Sequence, residues 1–164
     1  MPSRSFYLDL ALLEDYWVKR KYHHTLSSTM IYALREALKM IDEEGLEARW
    51  ERHRRNHLAF ARGLQAMGLS LLPPESERLW TLNAVKVPDN VDEAAVRKRL
   101  LAEYSIEIGA GLGPLAGKIW RVGLMGASSS PSLLLIFLGA LEHVLREAGH
   151  KCTPGAGVTA AAAH

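Results

Sequence analysis

The chain has 164 residues, 48% of them hydrophobic and 23% charged; this is average globular composition, which excludes disordered, collagen-like and coiled-coil classes and suits one ordinary domain or slightly more. Twenty Lys plus Arg against eighteen Asp plus Glu leave a net charge of +2, too small a surplus to argue for nucleic acid or an anionic membrane. The lone Cys152 excludes an intrachain disulfide and a cysteine metal cluster. The longest apolar run, Leu133 to Ala140, is far short of the roughly 18 to 20 residues that span a bilayer. Arg4, Asp9, Glu14, Asp15, Lys19 and Arg20 interrupt any signal-peptide core, so the expectation is a soluble intracellular protein.

After an aromatic start (Phe6, Tyr7, Tyr16, Trp17), Ile31, Leu34, Leu38 and Ile41 form the stripe of an amphipathic helix, with Ser27, Ser28 or Thr29 as its cap and Gly45 as its interruption. Leu46, Trp50, His57, Ala61, Leu64 and Met67 continue at helical spacing to Gly68, and Pro73 and Pro74 end the helical pattern. Leu79 to Val87 reads as a strand closed by the turn cluster Pro88, Asp89 and Asn90. Asp92 caps a helix of about three turns carrying Ala95, Val96, Leu100 and Leu101. Short strands are expected at Ser105 to Ile108 and Ile119 to Leu124, separated by a loop with Gly109, Gly111, Gly113, Pro114 and Gly117. The last helix starts with Ser130 as cap and Pro131 at its first position and stops at Gly149; residues 150–164 read as a frayed tail. The sum is an α/β fold, a helical lead-in joined to a small, mostly antiparallel sheet covered by helices.

Several side chains invite a chemical reading. The glycine loop lacks the following helix that a phosphate cradle needs, so it reads as a tight connection that brings backbone close to something. On the next strand Trp120, Val122 and Leu124 share one face and Arg121 points to the other. Arg121 is either a surface arginine or a guanidinium fork for a substrate carboxylate. His53 and His57 stand one helical turn apart but lack the general-base Glu of a zinc-protease motif, so they read as a partly packed, partly solvated helix face, and no metal site is expected. Arg49 to Arg55 alternates with Glu47 and Glu51 as a salt-laced exposed face. Tyr22, His23, His24 and Thr25 precede the first periodic helix as a polar turn or as an anion contact.

Phe6-Tyr7-Leu8-Asp9, Tyr22-His23-His24-Thr25, Tyr32-Ala33-Leu34-Arg35-Glu36-Ala37-Leu38, Gly111-Leu112-Gly113-Pro114 and Trp120-Arg121-Val122-Gly123-Leu124, in this order and spacing, resemble the C-terminal part of alanine–glyoxylate aminotransferase, also called serine–pyruvate aminotransferase. The resemblance runs from about Ser5 to about Gly149 and is weakest at Ser128 to Phe137, which is more apolar than the family's helix start. It implies a class V, fold-type I enzyme whose pyridoxal 5'-phosphate moves an amino group from alanine or serine to glyoxylate or pyruvate, the chemistry of glyoxylate detoxification. On the matching positions the resemblance implies Arg121 and Gly113 at the substrate, and Tyr22 and Thr25 on the cofactor phosphate of the neighbouring subunit in a homodimer. It further implies that residues 1–25 end a large domain, 26–68 are linking helices and 69–149 are the small domain.

The family's Schiff-base lysine precedes Phe6-Tyr7-Leu8-Asp9, and none of Lys19, Lys21, Lys39, Lys86, Lys98, Lys118 and Lys151 matches it, so no catalytic residue is expected within these 164 residues. The alternative is an inactive truncated product that acts as a dimerisation or interaction module, pairing with a full-length subunit. Animal members of the family often end in a peroxisomal tail like Ser-Lys-Leu, whereas this chain ends Ala162-Ala163-His164; a peroxisome is implied by the family alone, beside cytoplasm or mitochondrion.

Overall fold

Residues 5–163 are described by the structure, a computed structural model. Arg4 and His164, which entered the reading of the two termini, lie outside the described residues. The chain divides into two units, one ending at Glu44 and the other beginning at Gly45.

The first unit holds two helices. Asp9 caps α1 (Leu10–Val18) by accepting from the amides of Ala11 at 3.0 Å and Leu12 at 3.4 Å, which satisfies donors that a helix start leaves unpaired. An extended segment through Thr25 leads to α2 (Ser28–Glu44), whose Ile31, Leu34 and Leu38 carry the foreseen stripe and are each more than half exposed. Gly45, at φ +81, supplies the left-handed turn that separates α2 from α3 (Leu46–Ala66).

In the second unit, α3, α4 (Glu93–Tyr104) and α5 (Pro131–Glu147) surround a core built on Phe60, Leu64 and Met67 of α3, Val96 and Leu100 of α4, and Leu134, Leu138, Leu141 and Leu145 of α5. These close on a three-stranded antiparallel sheet of order β1-β3-β2, with β1 at Leu82–Lys86, β2 at Gly109–Ala110 and β3 at Ile119–Gly123. The caps fall where the sequence placed them: Asp92 accepts from the amides of Ala94 and Ala95, and Ser130 from that of Leu133. Trp120 of β3 is fully buried, and its indole donates to the Glu93 carbonyl at 3.2 Å; buried indoles of this kind find an acceptor.

Three expectations are corrected. The strand foreseen at Ser105 to Ile108 lies instead at Gly109–Ala110, because Ser105 takes the left-handed conformation (φ 55) that terminates α4 and residues 106–108 are spent on the connection. The first strand is shorter than Leu79 to Val87; Ser70 and Leu72 pair with its other edge, the Leu72 amide donating to the Ala84 carbonyl and the Lys86 amide to that of Ser70. The stretch from 150 onward, expected as a frayed tail, carries α6 (Ala156–Ala162) against α3 and α5. Small residues make that docking possible: a methyl on Gly63 would meet the Gly157 carbonyl at 2.9 Å, and one on Gly157 would meet Met67 Sδ at 2.7 Å. The buried Glu142 carboxylate receives the amides of Gly155 at 2.6 Å and Gly157 at 3.1 Å. No described helix is long and apolar enough to cross a membrane.

Candidate functional site

Arg121 occupies the middle of β3, between Ala84 of β1 and Gly109 of β2 in register. Partners in register project to the same face of a sheet, so this half-buried arginine is flanked by a methyl group on one side and by no side chain on the other. Its Nε donates to the Ala110 carbonyl at 2.7 Å, which fixes the guanidinium plane. Gly109 leaves room for that pose, since a Cβ there would meet Nη2 at 3.2 Å and Nε at 3.3 Å. No carboxylate of the described residues forms an ion pair with Arg121. A guanidinium held through Nε and free of an internal counter-ion presents its remaining donors as a fork for an external carboxylate.

The glycine loop continues directly from this anchor. Gly111 is buried, and a methyl on it would fall 1.9 Å from the Leu115 carbonyl oxygen, so only glycine permits the chain to fold back there. The close backbone approach read from the sequence is thus an approach to the loop itself. Gly113, at φ +52, opens a short 3-10 turn (Gly113–Leu115), and nothing lies within 4 Å of where its Cβ would be. Gly113 is exposed.

The first unit holds the second group. The Tyr22 hydroxyl and Thr25 Oγ1 lie 2.9 Å apart, and both side chains are exposed. Between them in sequence, the His23 and His24 rings meet Nδ1 to Nδ1 at 2.6 Å, and His23 Nε2 reaches the Phe6 carbonyl at 2.9 Å. Phe6 stacks on His23 with centroids 4.3 Å apart and planes at 4°, while Tyr7 lies 4.5 Å and Tyr16 6.3 Å from His24. Two hydroxyls so fixed can each turn a hydrogen toward one oxyanion, the donor set that suits phosphate.

His53 and His57, read as a partly solvated face, are both buried and hydrogen-bonded. His53 Nδ1 meets the Arg49 carbonyl at 2.7 Å and its Nε2 receives the Gly126 amide at 3.2 Å, while His57 Nδ1 meets Asn83 Oδ1 at 2.8 Å. Arg52, the preceding residue of α3, donates to the carbonyls of Gly126 at 3.0 Å and Ser129 at 2.6 Å. This polar seam tethers α3 to the loop after β3 and to β1, and burial pushes His57 below its ordinary value near 6.5. Among the described residues no group of three or more His, Cys, Asp or Glu is placed to hold a metal ion. All seven lysines are exposed, whereas a Schiff-base lysine is activated by desolvation or a neighbouring cation.

No family model matches the chain. Over 145 residues it is 48% identical to the (S)-ureidoglycine–glyoxylate transaminase of Bacillus subtilis, covering 88% of this chain and 35% of that protein. Over 146 residues it is 37% identical to the alanine–glyoxylate aminotransferase of Drosophila melanogaster, covering 86% of this chain and 37% of the relative. Among solved structures, the B. subtilis ureidoglycine–glyoxylate aminotransferase superposes with a TM-score of 0.89 at 45% identity over 98% of this chain and 42% of its own. The pyridoxamine–pyruvate aminotransferase of Mesorhizobium loti superposes with a TM-score of 0.86 at 36% identity, again over 98% of this chain and 41% of its own. The chain therefore spans about two-fifths of the length of the proteins it matches.

Proposed function

The chain belongs, as a C-terminal part, to the alanine–glyoxylate aminotransferase family of class V pyridoxal-phosphate enzymes, and from this premise we propose that it serves amino-group transfer from alanine or serine to glyoxylate. Glyoxylate is the acceptor named for the bacterial and the insect relative alike, while their amino donors differ; assays with alanine, serine and ureidoglycine as donors decide among them. Pyridoxal phosphate, when bound, supplies the electron sink for this chemistry.

The residues of this chain bind and orient. Arg121 receives the substrate carboxylate in a bidentate pair, the observation that carries the proposal being its Nε anchor on the Ala110 carbonyl without a protein carboxylate opposite. Gly113 gives the substrate backbone access beside that pair. Tyr22 and Thr25 hold the cofactor phosphate across a homodimer interface, which the paired exposed hydroxyls support. The lysine that carries the cofactor comes from sequence outside these 164 residues. Reduction with borohydride after mixing this chain with pyridoxal phosphate is expected to trap no stoichiometric lysine adduct with accompanying turnover; such an adduct refutes this point.

The decisive test is Arg121→Ala in the complete enzyme. Loss of a bidentate carboxylate contact is expected to lower kcat/KM by about 2 to 4 kcal/mol of transition-state binding, roughly 30- to 900-fold, with Arg121→Lys recovering only part. Unchanged kinetics toward the amino donor removes the assignment.

A further inference from the structure

Resting on the reading of Tyr22 and Thr25 as phosphate contacts, we infer that His23 and His24 are positioning residues for that hydroxyl pair, locked to each other in opposite tautomers. The argument is one of hydrogen counting. The Phe6 carbonyl only accepts, so the hydrogen in its 2.9 Å contact with His23 must sit on Nε2. A neutral His23 then has a bare Nδ1, and the 2.6 Å contact between the two Nδ1 atoms requires the hydrogen to come from His24. This fixes opposite tautomers on adjacent residues and leaves His24 Nε2 as the only unsubstituted ring nitrogen apart from the bridged one.

The rings are held in this pairing, because Phe6 is stacked on His23 while Tyr7 and Tyr16 face His24. Tyr22 and Thr25 flank the imidazoles directly, so the backbone that aims their hydroxyls is bolted at both inner residues to the turn before α1 and to α1.

Nitrogen-15 NMR of the histidines reads the tautomers without any substitution: with both rings neutral, His23 is expected as the Nε2–H form and His24 as the Nδ1–H form. Two Nε2–H rings overturn the lock. In the complete enzyme, dissociation constants for inorganic phosphate and for pyridoxal phosphate, measured by equilibrium dialysis, supply the second readout. His24→Leu, which removes the bridging donor, is expected to weaken both by about tenfold. His24→Asn, whose amide nitrogen stands near the Nδ1 position, is expected to restore them. Unchanged affinity in His24→Leu overturns the inference, whereas unchanged affinity in Tyr22→Phe and Thr25→Val overturns the phosphate reading on which it rests. If His24→Leu does not fold, the tautomer measurement on the unaltered protein still decides.

Discussion

His57 is a buried base with a single visible partner. Its Nδ1 donates to Asn83 Oδ1 at 2.8 Å, and Asn83, itself buried, has an Nδ2 without a protein partner. Removing one member of such a pair strands the other, while removing both strands nothing. His57→Leu is therefore expected to cost about 1 to 3 kcal/mol, and the double change His57→Leu with Asn83→Leu to cost less than the two singles added together; strict additivity in a denaturant-melt cycle contradicts the pairing. The pH dependence has a fixed sign. Burial holds His57 below its ordinary value near 6.5, so the unfolded chain takes up its proton at a higher pH than the folded one, and stability falls as pH drops from about 6.5 through the lowered folded value. Thermal melts over that window are expected to flatten in His57→Gln.

At the scale of elements, one carboxylate ties down the start of α6. Glu142 receives the Gly155 and Gly157 amides from inside the protein, and charge-assisted bonds of this kind contribute about 1.5 to 3 kcal/mol each when the acceptor is buried. Glu142→Leu is expected to free residues 150–163 for proteolysis and rapid amide exchange while α3, α4 and the sheet keep their protection; equal loss everywhere would show that α6 is integral to the core. This element was also the least legible in the sequence. An alanine run flanked by Gly and Pro has the composition of a frayed end, and nothing local announces that Gly63, some ninety residues earlier, leaves a gap for it. Elements with a period and a cap were legible: α3 from its stripe, α4 from Asp92, α5 from Ser130 and Pro131. The site divided the same way. Arg121 could be placed on the face opposite Trp120 from alternation alone, but its neighbours Ala84 and Gly109 follow from register, which is a property of pairing between strands. The polar seam of His53 and His57 was misread because its partners, Gly126 and Asn83, come from other elements.

Taken whole, the chain joins a unit that buries its own core to one that does not. The unit beginning at Gly45 encloses Leu64, Leu100, Leu138, Leu141 and Leu145 with its one buried indole, while α2 leaves Met30, Ile31, Tyr32, Leu34, Leu38 and Met40 each more than half exposed and buries no residue. An apolar helix surface of this extent is the mark of an element made to be covered. The proposed place of the chain, as about two-fifths of a dimeric aminotransferase, assigns that cover to the remainder of the enzyme.

The fully buried Trp120 gives the protein an internal optical gauge. Of four tryptophans, Trp17, Trp50 and Trp80 are 67%, 54% and 42% exposed, and Trp120 is 0% exposed. Iodide is expected to quench the first three and leave a blue-shifted emission from the indole adjoining Arg121, absent in Trp120→Phe. Followed during chemical denaturation, that residual band times the opening of the sheet that carries Arg121 separately from any rearrangement of the chain before Gly45.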